Sequence, residues 1–174
     1  MTFLKKLAFI FIFFSFLQNT LVADIPYFVD FKYILNKSDA GKKAQTFLKN
    51  KLTNGIKNLK KKEKLIQEEE KKIIQKKKVL SAEEYKKKVM ELRNKVSSLQ
   101  KERNNLLDEV AKQRSKARAE LLKNLNPIIQ EYMKEKKIRM VVDKKSILLA
   151  DENLDLTKEI TDLLNKKLKS IKLN

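Results

Sequence analysis

Apolar side chains return at every seventh position from Leu52 through Leu59, Ile66 and Ile73 to Leu80, with Leu48, Ile56 and Leu65 as partial neighbours. A repeat of seven keeps one narrow stripe on a helix and supercoils it left-handedly against a partner. The flanking register is wet, because Gly55, Lys62 and Glu69 fall where a second apolar column would lie. A second stripe runs through Tyr85, Val89, Leu92, Val96, Leu99, Leu106, Val110 and Ala117 at alternating spacings of three and four, with Arg103 and Gln113 as polar occupants. It then slips through a four-residue stutter to Leu121, Leu125, Ile128 and Tyr132.

Between the stripes, Ser81 and Glu84 stand in the spacing of a capping box, in which hydroxyl and carboxylate each satisfy the other residue's amide. This predicts a new helix and a reversal near Leu80, although the apolar spacing alone would also allow one continuous rod. As two helices, Lys42 to Leu80 would measure about 58 Å and Ala82 to Asn126 about 67 Å, matched well enough for an antiparallel hairpin. Asn126-Pro127 predicts that the second helix ends or bends there, since proline removes a helical hydrogen bond and crowds the preceding turn. Gly55 and Pro127 would be points of flexibility in the arm.

The ends of the chain follow another period. The stretch "IPYFVDFKYIL", Ile25 to Leu35, predicts a strand over Tyr27 to Phe31. "IRMVVDKKSILLA" predicts two more, Ile138 to Val142 and Ile147 to Ala150, around a polar turn. Ile160, Leu163, Leu164, Leu168 and Ile171 then share one face of a closing helix capped by Asp155 or Thr157. Three short strands and one helix make too small a core to stand alone, so self-association is the economical remedy. The strands can meet only if the chain between them doubles back. The fold class is therefore mainly α with a small β body (α+β): a long antiparallel helical hairpin projecting from that body.

Composition removes most chemistry. There is no His, Cys or Trp, only two Gly and two Pro, so thiolate and imidazole catalysis, Cys/His zinc sites and Ser-His-Asp triads are excluded. No two glycines have the spacing of a phosphate-binding loop. Asp30 and Asp143 are the carboxylates that invite a catalytic reading, but no substrate-binding wall accompanies them, and capping backbone amides at strand ends accounts for both. The chain is expected to be no enzyme and to use no cofactor or metal.

Charge and leader set the setting. Lys5 and Lys6 precede a run of eleven mostly apolar residues, Leu7 to Leu17, too short to span a bilayer, and a polar stretch leads to a plausible cut after Ala23. Leu21, three before that cut, departs from the small-x-small pattern. Residues 1–23 are therefore expected to be a signal peptide. Its removal takes two of the 41 basic residues and none of the 22 acidic ones, leaving +17. Export without cysteine suits a bacterial periplasm, and it turns the charge from nucleic acid toward envelope lipids or unfolded polypeptides. The clusters Lys76, Lys77, Lys78 and Lys86, Lys87, Lys88 flank the expected arm tip near residues 78–84 and are the candidate contacts for clients or anions. A structural coiled coil of the envelope is the alternative reading, opposed by strand-forming ends that a spacer does not need.

The opening "FVDFKYILNKSDAGKKAQ", the Lys/Glu/Gln-rich middle and the ending "NPIIQEYMKEKKIRMVVDKKSILLADENLDLTKEITDLLN" resemble the Skp/OmpH family of periplasmic chaperones. The likeness is most specific at Val29 to Leu35, at Val141 to Lys144 and at Asp155 to Thr157. It implies a homotrimer whose bodies assemble through the strands, with three hairpin tentacles around a cavity that keeps unfolded outer-membrane proteins soluble, without ATP, for outer-membrane assembly. Residues 24–41 and 127–174 would form the trimerisation body and 42–126 the arm. Phe28, Val29, Asp30, Val141, Val142, Asp143, Ile147 and Leu149 would serve the body strands and oligomerisation. Lipopolysaccharide or another anionic lipid is a further candidate partner, with no site carried over residue by residue, and nucleic acid is not expected to be one.

Overall fold

The computed structural model describes residues 25–173; the expected signal peptide lies outside them. Strand β1, Tyr27–Val29, is followed by helix α1, Phe31–Lys37, and helix α2, Asp39–Gln75. A short turn leads into helix α3, Ala82–Lys136, then strand β2, Val141–Asp143, two single 3-10 turns and helix α4, Thr157–Lys167. The arm is a hairpin of α2 and the N-terminal part of α3. At 37 and 55 residues the two helices run about 56 Å and about 82 Å, so α3 outruns its partner.

The surplus length of α3 enters the body. Of the two expectations at Pro127, an end or a bend, the end is not met: α3 continues through it to Lys136, and Leu125, Ile128 and Ile129 become body core beside Val29, Ile34, Leu156, Ile160 and Leu164. The buried contacts flanking Pro127 on the same helix supply what its missing N–H takes away. The helix stops instead at Lys137, which turns left-handed (φ 56°) while the Ile138 amide reaches back to the Met133 carbonyl at 2.8 Å.

The body sheet has two parallel strands, with Tyr27 opposite Val141, Phe28 opposite Val142 and Val29 opposite Asp143. Doubling back of the chain does bring its ends together. Three strand expectations need correction. Phe31 opens α1 rather than closing β1, because the Asp30 side chain accepts the Tyr33 amide at 2.7 Å and caps a helix. Ile147 to Ala150 forms no strand: the Asp143 carboxylate accepts the Lys145 amide and winds Lys144–Ser146 into a 3-10 turn. Beyond that turn Leu148 and Leu149 stand 96% and 90% exposed, with no strand among the described residues to pair with. The β2 strand is also shorter than expected, beginning at Val141.

A break at Ser38 separates α1 from α2. Its extended backbone (ψ 157°) ends one helix, and its hydroxyl accepts the Gly41 amide to start the next. Glycine at 41 is a steric requirement, since a Cβ there would lie 2.1 Å from the Leu35 carbonyl oxygen.

Candidate functional site

The arm is held by complementary pairs rather than by a thick core. The three wet positions of the first stripe each have a partner on α3. Gly55 leaves room for Leu106, whose methyl carbons would lie 2.4 and 2.6 Å from a Cβ at that position. Lys62 meets Glu102 at 2.6 Å and Glu69 meets Lys95 at 2.6 Å. Gly55 is thus a packing accommodation, which gives a reason for it other than flexibility. Lys51–Glu109 (3.1 Å) and Glu63–Arg103 (3.6 Å) extend the same antiparallel register. Gln113, the other polar residue of the second stripe, donates to Glu109, and this bond together with Lys51 holds the Glu109 carboxyl below its usual range.

At the tip, α2 ends at Gln75 and the capping box at Ser81 starts α3. The Glu84 amide donates to the Ser81 hydroxyl (3.2 Å), and the Ser81 amide and hydroxyl donate to the Glu84 carboxylate (3.0 and 2.9 Å). Those bonds to Ser81 hold the Glu84 carboxyl below its usual range. Lys76, Lys77 and Lys78 occupy the turn, and Lys86, Lys87 and Lys88 the first turns of α3; all six are exposed. Lys77 lies over the Tyr85 ring at 5.7 Å. The two lysine clusters are therefore brought together at the free end of the arm.

At the body, Phe28 and Val29 are buried, and Val141, Val142, Asp143 and Ile147 are half-buried. Asp30 lies just beyond β1 as a helix cap. Its amide donates to the Thr157 hydroxyl at 2.8 Å, while the Leu156 amide donates to the Phe28 carbonyl at 2.9 Å. Asp155 accepts the Thr157 amide at 2.9 Å and Lys144 at 3.3 Å. Desolvation works against its charge, but these hydrogen bonds from Thr157 and Lys144 prevail and lower its pKa. The helix α4 begins with Leu156 in the cap position, and Asp155 and Thr157 instead act through this loop network. Sequence periodicity missed Thr157 as the link between the two ends, because a hydroxyl that bridges 127 positions leaves no local signal.

Among the described residues no group of acidic side chains is placed to hold a metal, and no helix is long and apolar enough to cross a membrane. Asp30 and Asp143 cap backbone amides 3 and 2 residues on.

A small αβ body with one long helical hairpin arm defines the class. The family model described as outer membrane protein (OmpH-like) matches residues 27–164, so the chain belongs to the OmpH-like (Skp) family of outer membrane chaperones. The crystal structure of an OmpH-like protein from Caulobacter crescentus CB15 has the same fold, with a TM-score of 0.79 at 20% identity over 90% of this chain and 94% of that one. No curated protein sequence matches the chain.

Proposed function

We propose that the chain is a periplasmic holdase: it keeps unfolded outer-membrane β-barrel proteins soluble between helical arms, without ATP, until they are assembled. Membership of a chaperone family supports this, and so does the build of the molecule. The arm buries little and offers long wet faces with isolated apolar side chains, such as Leu65 and Ile74, 64% and 60% exposed. A surface of that kind suits transient contact with a disordered chain better than a fixed ligand.

The carrying observation is the unfinished body. A two-stranded parallel sheet is not an independently stable unit, and here it sits beside Leu148 and Leu149, which are almost fully exposed. Burying both leucines against another copy would contribute about 3–6 kcal/mol per subunit. The body is proposed to form a homotrimer, with Phe28, Val29, Asp30, Val141, Val142, Asp143, Ile147 and Leu149 serving the body strands and oligomerisation, Phe28 and Val29 from inside the chain's own core and Leu149 from its exposed surface, and with residues 24–41 and 127–174 as body and 42–126 as arm. Basic tips, Lys76 to Lys78 and Lys86 to Lys88, would speed encounter with anionic clients or lipids in a salt-dependent way.

The test is the mass of the mature protein by light scattering, followed by dilution of a denatured β-barrel protein into it without nucleotide. A trimer that suppresses aggregation is expected. A monomer or dimer without suppression overturns the reading.

A further inference from the structure

Just below its tip the arm seam opens into a groove of about 530 Å³ lined by Ile73, Ile74, Tyr85, Val89, Leu92 and Val96, with Glu70 and Arg93 among its polar lining residues. Ile74 and Val96 remain 60% and 51% exposed. Farther toward the body the seam is filled, by Leu106 against Gly55 and by buried Leu59 and Val110. The groove is therefore local to the free end.

Its electrostatic setting is basic. From Ile73 to Ser97 there are eight basic and three acidic residues. Lys51, Lys62, Lys95 and Arg103 pair across the hairpin. Around the groove, Lys76, Lys77, Lys78, Lys86, Lys87 and Arg93 make no ion pair among the described residues. One nearby acid, Glu84, is held by the Ser81 cap. An apolar slot ringed by unspent positive charge is complementary to an apolar group with negative flanks.

We infer that the groove is a peptide-anchoring subsite, which takes one bulky apolar side chain of an extended polypeptide segment flanked by Asp or Glu. This rests on the client-holding reading above and adds a sequence preference to it. An opening of this size has room for one or two side chains. Each arm then grips a client weakly at one point, and several arms on one client gain by effective concentration.

The test uses the mature full-length chain and fluorescein-labelled peptides with the cores Asp-Glu-Phe-Glu-Asp, Asp-Glu-Ala-Glu-Asp and Lys-Lys-Phe-Lys-Lys, read by anisotropy. The acidic Phe peptide is expected to bind about tenfold more tightly than either other peptide, and to weaken as salt rises. Ile74→Ala together with Val96→Ala removes exposed side chains and inserts the best helix former, so the arm stays folded by circular dichroism while that peptide loses about tenfold in affinity. Equal binding of the Phe and Ala peptides, or undiminished binding by the double variant, overturns the proposal. So does loss of anionic-vesicle binding in the double variant with peptide binding intact, which would make the groove a lipid site. Aggregation suppression by the unmodified protein is measured alongside. If it is present while the peptide results fail, the groove falls alone; if it is absent, the holdase reading falls and the peptide data still decide the groove.

Discussion

Replacing Gly41 by Ala tests whether the α1–α2 junction sets the root of the arm. A methyl at this position would sit 2.1 Å from the Leu35 carbonyl oxygen, 2.9 Å from its carbon and 3.0 Å from the Ser38 hydroxyl. The first two are backbone atoms, so no side-chain rotation relieves the contact and the junction must move by more than 1 Å to reach an ordinary separation. Overpacking of this kind costs about 1–3 kcal/mol. Displacing the Ser38 hydroxyl from the Gly41 amide, a 3.2 Å bond, adds about 1 kcal/mol for the lost cap. Alanine's better helix propensity returns at most about 1 kcal/mol. The net destabilisation is about 1–3 kcal/mol, a fall of about 0.5–2 M in the urea midpoint, measured by circular dichroism at matched protein concentration. Gly55→Ala is the control. There the clash is with the terminal methyls of Leu106, which turn aside for about 0.5–1.5 kcal/mol against a similar propensity gain, so its midpoint stays within about 0.5 M of the unmodified protein. A Gly41→Ala midpoint equal to or above that of Gly55→Ala would refute the steric argument.

Three further outcomes follow from the same structure. Thr157→Val keeps the shape but removes the acceptor of the partly buried Asp30 amide, so it should destabilise by about 1–3 kcal/mol, read as a lower urea midpoint; an unchanged midpoint would mean the hydroxyl is dispensable. Ser81→Ala deletes the tip cap and should weaken the start of α3 by about 1 kcal/mol, seen as faster amide exchange at Glu84 and Tyr85 with α4 unaffected. Asp155 has a lowered pKa in the folded chain through its bonds from Thr157 and Lys144, which outweigh desolvation. A depressed carboxyl contributes stability that is full above its unfolded pKa, near 3.9, and is lost as pH falls through the folded value. Asp155→Asn should therefore be less stable than the unmodified protein at pH 7, with the gap narrowing below about pH 4 in pH-dependent urea melts.

What the sequence determined by itself was whatever is local and periodic. Seven-residue spacing set the arm helices, Ser81 and Glu84 marked the reversal, and the Val-Asp stretches at both ends located the paired strands. Other features depended on groups far apart in the chain. Pro127 looks like a helix end because propensity is local, yet burial of Leu125, Ile128 and Ile129 among residues from β1, α1 and α4 carries α3 past it. Ile147 to Ala150 has strand composition but, among the described residues, no strand beside it, and a strand exists only as half of a hydrogen-bonded pair. The defects in the first stripe, Gly55, Lys62 and Glu69, became intelligible only opposite Leu106, Glu102 and Lys95. Register between two helices is a property of both, and one helix read alone shows only where it departs from apolar. The tip groove belongs to the same category: its lining comes from α2 and α3 together, and neither helix read alone shows it.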